Sequence, residues 1–423
     1  MPKTLQEPPS ALSSFQASKR RFVGRAAETK RLIGALSDAS GGDARLVMLL
    51  GEPGIGKTLL SEWVSAHAMS LGDRVVWARC WAHGAPPYWP WIQIFRDLLS
   101  DRSSAKASPG NEAAISRIKR SLPELRLEER NLDIPSGGLA GGSSSRISEV
   151  PETERFAFFE TVSDLLKQVA NIAPLVVVID DLHLADTDSI QLLSFVARDF
   201  ARSRILVLVT CRDEWSILPP ERAAALGELA REAERIDLKG LTNDEVAEFV
   251  RKSTSIEPDQ HLVSSLRSRT SGNPFFLDGL ARLLTDGTAL PDQLGKTGLP
   301  IPPTIVAAVE RRLEPLSSVA RRVLRLASVM EEEIDASILA QASGLSRPEL
   351  TEAIEEAIGN GLLISVPDGR ALRFNQGLVA ESVRAGMTKG ELRTLHGSVA
   401  QALEHLHGED LEPHIAPTCF PFC

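Results

Sequence analysis

The sequence predicts an α/β fold with a central parallel sheet, followed by a largely helical region, and two apolar segments carry this prediction. Residues 46–50 are apolar and run directly into a glycine-rich loop at residues 51–58. Residues 174–179 are also apolar and end in the carboxylates Asp180 and Asp181. A strand that is apolar on both faces belongs in the middle of a parallel sheet with helices on both sides.

The loop at residues 51–58 reads Gly-Glu-Pro-Gly-Ile-Gly-Lys-Thr, which is the spacing of a phosphate-binding P-loop. Backbone N–H groups must curl round a polyphosphate there, and glycine permits the positive φ angles and close approach that this needs. Lys57 can reach the β- and γ-phosphates, and the Thr58 hydroxyl can bind Mg²⁺. The loop residues predicted to bind ATP or ADP are Gly51, Glu52, Pro53, Gly54, Ile55, Gly56, Lys57 and Thr58.

The two carboxylates after residues 174–179 form a Walker B pattern. Ligands bind at the carboxyl ends of parallel strands, so we expect Asp180 beside Thr58, holding Mg²⁺ directly or through water. Asp181 is placed to orient or deprotonate an attacking water, which makes it a candidate catalytic residue. The alternative, that Asp181 only caps the next turn, stays open.

A further predicted strand at residues 204–210 leads into Cys211 and Arg212. Another strand and its helix lie between the P-loop and the acidic pair in sequence, so the two motifs need not be on neighbouring strands. This order is typical of P-loop ATPases with an additional strand. Arg212 is a candidate sensor that contacts the γ-phosphate or the Mg²⁺ shell, and a surface salt bridge is an equally weighted alternative.

Length and composition narrow the class of protein. The 423 residues are enough for two or three domains, and the formal net charge of -9 gives no overall attraction to nucleic acid. No apolar run reaches the roughly 18 residues that cross a membrane, and the first 21 residues lack the apolar core of a secretory signal. Four cysteines are too few and too scattered for a disulfide framework. We therefore expect a cytoplasmic protein without a membrane span.

The pattern of apolar residues places the remaining elements of the α/β part. Helices are predicted at 57–70, from 89 to 99, and at 152–169 and 187–201, with strands at 74–81 and 235–238. The aromatic run at residues 88–91 favours packing of its helix on the sheet over a base-stacking platform. Residues 131–151 are rich in glycine and serine and predict a mobile insertion over about 101–151.

The second half of the chain is predicted to be helical and then to form a winged helix. Thr242 and Glu245 have the spacing of a capping box, and Pro274 can open a helix, which together indicate a small helical lid. A run of helices then leads to a hairpin around Asp368-Gly369.

The domains predicted are a flexible N-terminus at 1–21, a P-loop ATPase α/β domain at 22–240, a helical lid at 241–300, a winged-helix domain at 301–387, and a C-terminal helix with an irregular tail at 388–423.

Six motifs in order carry a resemblance to a known class. They are Phe22-Val23-Gly24-Arg25, the P-loop, Ala85-Pro86-Pro87-Tyr88-Trp89-Pro90-Trp91, the run from Asp180 to Asp186, Cys211-Arg212-Asp213-Glu214, and Gly272-Asn273-Pro274-Phe275-Phe276-Leu277. From about residue 22 to 406 the chain resembles the signal-transduction ATPases with numerous domains, the STAND class. More closely, it resembles the origin-recognition-like AAA-type ATPase module of large LuxR-type transcriptional regulators and of fusions to adenylate cyclases or kinases.

The resemblance implies a site for ATP or ADP with Mg²⁺ and a role for each matching residue. His183 would be a turn residue with a structural role. The nucleotide contacts implied are Val23, Gly24 and Arg25 at the adenine and ribose, Lys57, Thr58 and Asp180 at the phosphates and Mg²⁺, Arg212 as the sensor, and Pro274 over the base.

The resemblance also gives the winged helix a role. The helix predicted at 347–359 carries Glu349, Glu352, Glu355 and Glu356, and such an acidic helix is costly to place against DNA phosphates. We therefore expect a regulatory winged helix that packs on bound ADP. Relatives place a phosphate-contacting histidine where this chain has Gln376, which can donate a hydrogen bond but cannot become cationic.

Two further departures from the class favour slow hydrolysis: Ala26 and Ala82 stand where acidic residues are usual. We therefore expect a weakly hydrolysing regulatory switch that acts through a protein partner or through self-association on ATP binding. The alternatives are a DNA-associated AAA+ ATPase of the origin-recognition type and a catalytically weak nucleotide-binding scaffold. Residues 415–423 fit no helix, so we expect a truncated or frame-shifted product or a stand-alone switch.

Overall fold

A computed structural model describes the chain in two compact units, one ending at Leu238 and the other beginning at Lys239. The residues described are 22–81, 85–100, 109–122, 125, 152–213, 215, 218–254, 256–285, 301–330, 333–366 and 371–407. In these ranges no helix is both long enough and apolar enough to cross a membrane.

The first unit is built on a five-stranded sheet with the order β2-β3-β4-β1-β5. The strands are β1 at Arg45–Leu50, β2 at Arg74–Arg79, β3 at Leu175–Asp180, β4 at Ile205–Cys211 and β5 at Glu234–Asp237. Every neighbouring pair is parallel. Strand β4 therefore separates β1, which carries the P-loop, from β3, which carries the acidic pair, as an additional-strand P-loop fold requires.

Residues of the central strands alternate between two apolar layers. Val177 and Val207 pack in one buried cluster, and their neighbours Val176 and Leu206 pack in the other. Helices cover both faces, which explains why the strands are apolar on both sides. The helices of this unit are α1 at Ala26–Ser40, α2 at Lys57–Ser70, α3 at Trp89–Ser100, α4 at Pro109–Ser121, α5 at Glu152–Ile172, α6 at Thr187–Asp199 and α7 at Pro220–Glu232.

Helix α3 packs through its aromatic residues, as predicted. Tyr88 and Trp91 are buried in the core, and the Trp91 indole Nε1 donates to the Ser189 carbonyl at 3.1 Å. These rings are therefore packing residues and cannot stack on bases. Cys80 and Cys211 are free and buried, as expected for small apolar side chains in a reduced protein.

Helix α4 falls inside the interval 101–151 that was expected to be a mobile insertion. Its Ile118, and Leu122 just beyond its end, are completely buried in the core shared with α5. The helix offers only Ile115 and Ile118 as a large apolar pair, so periodicity gives almost no signal for it. The glycine- and serine-rich residues 131–150 lie outside the described residues.

The second unit contains helices and a small sheet. The three-stranded antiparallel sheet has the order β6-β8-β7, with β6 at Ile334–Asp335, β7 at Leu363–Ser365 and β8 at Ala371–Phe374. The predicted turn at Asp368-Gly369 lies outside the described residues. The helices are α8 at Asn243–Thr254, α9 at Gln260–Thr270, α10 at Pro274–Thr285, α11 at Pro303–Leu313, α12 at Ser318–Ala327, α13 at Ala336–Ser343, α14 at Arg347–Gly359, α15 at Gly377–Ala385 and α16 at Lys389–His407.

Polar contacts fix helix starts and connections in this unit. The Thr242 backbone N–H donates to a Glu245 carboxylate oxygen at 2.8 Å, and the Glu245 N–H donates to the Thr242 hydroxyl at 3.4 Å, so both bonds of the predicted capping box are present. Helix α9 is joined to α15 because Arg269 donates to both carboxylate oxygens of Glu381, at 2.9 Å and 2.5 Å. The Ser271 hydroxyl adds a bond to the Asn375 carbonyl at 2.7 Å. The Arg269–Glu381 pair therefore ties α9 to α15 within the second unit.

Candidate functional site

The P-loop has the backbone shape of an anion cradle. Gly51, Gly54 and Gly56 have φ angles of 145°, 82° and 104°, which glycine adopts freely. A Cβ at Gly51 would lie 2.9 Å from the Leu238 carbonyl oxygen, so this position also requires glycine for space. Gly56 is the N-cap of helix α2 and makes no side-chain cap, so no N-cap side chain competes with a ligand for the first N–H groups of the helix. The loop therefore fits a bound phosphate.

The Lys57 side chain is held inside the loop. Its Nζ donates to the Gly51 carbonyl at 2.6 Å and to the Glu52 carbonyl at 3.0 Å. Burial lowers the pKa of the Lys57 ammonium, and the Asp181 charge opposes that shift. A buried ammonium is strongly stabilised by an anion, so the lysine is placed to favour a phosphate.

Thr58 and Asp180 meet, as the ends of parallel strands predict. The Thr58 Oγ1 lies 3.0 Å from Asp180 Oδ1 and 3.2 Å from Oδ2. The Thr210 hydroxyl at the end of β4 donates to Asp180 Oδ1 at 2.7 Å. A hydroxyl and a carboxylate are ligands that suit Mg²⁺, so this pair fits the predicted metal.

Asp181 occupies a turn with a left-handed backbone, φ 59°. Its N–H donates to the Thr210 hydroxyl at 2.8 Å, and its side chain makes no capping bond to the short 3₁₀ turn Leu182–Leu184. That geometry gives no support to a capping role. Burial and the adjacent Asp180 charge raise the pKa of Asp181, so this carboxyl is a stronger base than an exposed aspartate.

Arg79 is a site residue that sequence reasoning missed. It ends β2 and is the register partner of Asp180 on β3. Its Nη2 lies 3.2 Å from Asp180 Oδ2, and its Nε lies 4.0 Å from Asp181 Oδ2. The sequence shows only a basic residue at the end of a predicted strand. The pairing of that strand with β3 is set by tertiary structure, and the sequence pattern does not indicate it.

The upstream motif lies against the loop. Val23 is buried, and Gly24 and Arg25 have left-handed φ angles of 69° and 65°. The buried Arg25 guanidinium donates to the Ile55 carbonyl at 3.0 Å and to Glu28 at 3.1 Å. Residues 23–25 therefore lie against the P-loop. The resemblance implies that they contact the adenine and ribose, and this stays a prediction.

Arg212 and His183 share this edge of the sheet. Arg212 directly follows β4. Burial lowers the pKa of Lys57, the Asp181 charge opposes this shift, and the Arg212 charge adds to it. His183 is buried, and neither ring nitrogen has a hydrogen-bond partner among the described residues. Burial first, and then the charges of Arg212 and Lys57, lower the pKa of His183 to about 3. The imidazole is therefore neutral at physiological pH.

Two predicted nucleotide contacts belong to the second unit. Pro274 is the first residue of α10, where proline is tolerated. Gln376 is completely buried, and its Oε1 accepts a hydrogen bond from Arg312 Nη1 at 3.4 Å. The Arg312 guanidinium also lies over the Phe276 ring, 5.6 Å from its centre. Their contacts with nucleotide stay predictions.

Comparisons with known proteins agree with this geometry. Residues 21–209 match the family model described as AAA ATPase domain. Over 379 residues the chain is 24% identical to an uncharacterized protein of Rhizobium meliloti (strain 1021), an alignment that covers 87% of this chain and 35% of that protein. The chain thus spans about a third of the length of that relative.

Two solved structures share the fold. The Walker-type ATPase of Pyrococcus abyssi has a TM-score of 0.53 at 16% identity, covering 86% of this chain and 96% of that chain. The ORC2 protein of Aeropyrum pernix, solved as ADPNP–ADP complexes, has a TM-score of 0.51 at 14% identity, covering 89% and 94%.

The strand order, the glycine cradle and the Thr58–Asp180 pair define a P-loop ATPase fold of the additional-strand class. Within that class, residues 21–209 match the model described as AAA ATPase domain. Such domains bind nucleotide, generally with Mg²⁺, and the residues at the loop fit both groups.

Proposed function

We propose that the protein is an ATP-binding regulatory switch of the STAND type that hydrolyses ATP slowly. The observation that supports this most directly is the pre-assembled site, in which the Thr58 hydroxyl lies 3.0 Å from Asp180 and Lys57 is seated in the loop. ATP binding changes the association of the switch with a protein partner or a second copy, and hydrolysis resets it.

In this proposal each residue of the first unit has a separate task. Lys57 and the first N–H groups of α2 bind the phosphates, and Thr58 with Asp180 holds Mg²⁺. The metal neutralises phosphate charge when bound. Asp181, whose pKa is raised by burial and by Asp180, accepts a proton from water. Arg212 senses the γ-phosphate.

The contacts of the Asp180 carboxylate support slow hydrolysis. Thr58, Thr210 and Arg79 all contact its carboxylate, which is almost completely buried. Metal binding must therefore displace the Arg79 guanidinium from this carboxylate. The absence of an acidic residue at Ala26 and Ala82 points in the same direction.

In the second unit we propose a winged helix with a regulatory role. Its elements follow the order helix α12, strand β6, helices α13 and α14, then the β7–β8 hairpin. Glu349, Glu352 and Glu355 are exposed on α14, and an acidic surface repels DNA phosphates. Pro274 and Gln376 contact the nucleotide in the ADP state. The switch acts in the cytoplasm, which the free buried Cys80 and Cys211 support.

The first test is the nucleotide that purifies with the protein. The protein is denatured, and the released nucleotide is identified by mass spectrometry, with Lys57→Ala prepared in parallel. We expect ADP close to one per chain in the native protein and none in the variant. A native protein that carries no nucleotide and binds neither ATP nor ADP would rule the proposal out.

The second test separates a switch from a DNA-associated AAA+ ATPase. A motor should turn over at roughly one per second or faster and should be stimulated by duplex DNA. We expect turnover well below that rate and no response to DNA. Stimulation by DNA would favour the origin-recognition-like alternative, and tight binding with no turnover would favour a nucleotide-binding scaffold.

A further inference from the structure

We propose that Arg79 is a built-in counter-cation that occupies the acidic pair in the metal-free state and must withdraw when Mg²⁺ binds. This inference rests on the proposed nucleotide site and adds a residue that lowers its metal affinity. Arg79 belongs to none of the motifs described above.

The contacts of Asp180 show why a metal must compete. Oδ1 accepts hydrogen bonds from Thr210 at 2.7 Å and from Thr58 at 3.0 Å. Oδ2 contacts Thr58 at 3.2 Å and the Arg79 Nη2 at 3.2 Å. Thr58 can keep its contact while its oxygen binds a metal, but a guanidinium on Oδ2 and a divalent cation at the same carboxylate repel each other.

The backbone holds Arg79 in this position. Strand β2 is at the edge of the sheet, so the outward N–H and C=O of Arg79 have no neighbouring strand. The Gln93 amide of α3 replaces that strand, because its Oε1 accepts from the Arg79 N–H at 3.1 Å and its Nε2 donates to the Arg79 carbonyl at 2.9 Å. The register of β2 and β3 then sets Arg79 beside Asp180.

The charges around the guanidinium explain its attraction to the site. Asp180 and Asp181 both lie within 4.0 Å of it. Burial first, and then the Asp180 charge, raise the pKa of Glu62 on α2, and the Arg79 charge lowers it. The guanidinium therefore contacts two carboxylates, which attract it to the position proposed for the metal.

Withdrawal of Arg79 is inexpensive. Its side chain is 60% exposed, whereas that of Asp180 is 2% exposed, so the guanidinium can rotate into water while the carboxylate stays in place. Exposed ion pairs contribute at most about 1 kcal/mol, which corresponds to about fivefold in affinity. The expected effect of Arg79 on metal affinity is therefore modest.

The experiment measures metal binding directly. Mn²⁺ is titrated into the 423-residue chain with bound ADP, and free Mn²⁺ is followed by electron paramagnetic resonance. For Arg79→Gln we expect the Mn²⁺ dissociation constant to fall about three- to fivefold. Arg79→Lys, which keeps the charge, should stay near wild type. The matched control is Arg45→Gln, because it removes the same charge from the opposite end of a strand of the same sheet.

Gln93→Ala provides a second measurement outside the site. Loss of the amide frees the Arg79 backbone, so Mn²⁺ binding should tighten by about twofold, in the same direction as Arg79→Gln. An unchanged Mn²⁺ affinity in Arg79→Gln overturns the inference. A weaker affinity also overturns it, since Arg79 would then orient Asp180 for the metal. If wild type binds no ADP, the proposed function itself fails, and this outcome is distinct from the other two.

Discussion

Buried charges are treated differently at the nucleotide edge of the first unit and at the junction of α9 and α15 in the second. At the nucleotide edge, Lys57 is buried on backbone carbonyls, and His183 is buried with both ring nitrogens unpaired among the described residues. In the second unit, Arg269 and Glu381 form a closed two-point ion pair. The difference indicates that buried polar groups of the first unit are available to bind a ligand. In the second unit, the charges of the Arg269–Glu381 pair join two helices.

Lys57→Ala should have the largest effect on nucleotide binding, because it removes the buried ammonium that is placed to bind the phosphates. Each hydrogen bond to a charged partner contributes about 1.5–3 kcal/mol, so ADP binding should weaken at least about a hundredfold. The melting temperature followed by tryptophan emission should change little. Fluorescent-nucleotide titration checks the affinity, and an affinity equal to wild type would contradict the P-loop assignment.

Asp181→Asn comes next and sharpens the role of the acidic pair. General-base catalysis contributes about a hundredfold or more, so hydrolysis should slow by about that factor while nucleotide binding is kept. Asp180→Asn, the matched neighbour, should instead weaken Mg²⁺-dependent binding. Single-turnover hydrolysis and nucleotide titration separate the two. A wild-type hydrolysis rate in Asp181→Asn would remove its role as the base.

Glu381→Ala tests the second region. Removing one partner of a buried ion pair leaves a buried charge, so the second unit should lose about 3 kcal/mol of unfolding free energy. All six tryptophans precede Lys239, so tryptophan emission reports the first unit and circular dichroism reports both. Only the dichroism transition should shift in urea.

The control for Glu381→Ala is Asp278→Ala, which removes a carboxylate from the exposed Arg282 pair on α10. It should cost less than about 0.5 kcal/mol. Equal losses in the two variants would show that the Arg269–Glu381 pair is no more important than a surface pair.

The comparison also shows what could be predicted from sequence. The Thr58–Asp180 contact follows from two strand ends in one parallel sheet, and the closed loop follows from its glycines. Arg79 could not be predicted as a site residue from the sequence, because its contact with Asp180 depends on the pairing of β2 with β3. The Arg312–Gln376 contact joins positions 64 residues apart, and nothing in the local pattern indicates it. The residues of local motifs could therefore be predicted from the sequence, whereas contacts between residues that tertiary packing brings together could not.

Stability below neutral pH should test the unpaired histidine. The pKa of His183 is about 3 in the folded protein and about 6.5 when unfolded, so the unfolded state takes up the proton more readily. Stability should therefore fall as the pH drops below about 6.5, and His183 alone should account for about 2 kcal/mol at pH 5. Urea unfolding followed by tryptophan emission at pH 7 and pH 5 measures this.

His183→Gln should flatten that pH dependence, since glutamine does not titrate. The matched control, His261→Gln on the exposed side of α9, should keep the wild-type slope. Because α9 lies in the second unit, circular dichroism is recorded beside tryptophan emission for this variant. If His183→Gln loses as much stability as wild type between pH 7 and pH 5, the imidazole is not the group responsible.

Gln376→His should give the smallest effect. If this position faces the diphosphate, an imidazole donor slows ADP release by less than about tenfold. Acid should add little, because the Arg312 guanidinium, 3.4 Å from the Gln376 oxygen, opposes a second positive charge. Stopped-flow ADP release at pH 6 and pH 8 checks both points. Identical rates at both pH values and in both proteins would place Gln376 away from the nucleotide.

The Gln93 amide that closes the open side of β2 has a consequence for self-association. An exposed edge strand offers unpaired N–H and C=O groups that another chain can extend into a continuous sheet. At Arg79 those groups are already bonded to Gln93, and at the start of β2 the Arg74 side chain is bonded to the Leu98 carbonyl of α3. At the Arg79 end of this edge, a second chain therefore cannot add a strand without first displacing the Gln93 amide.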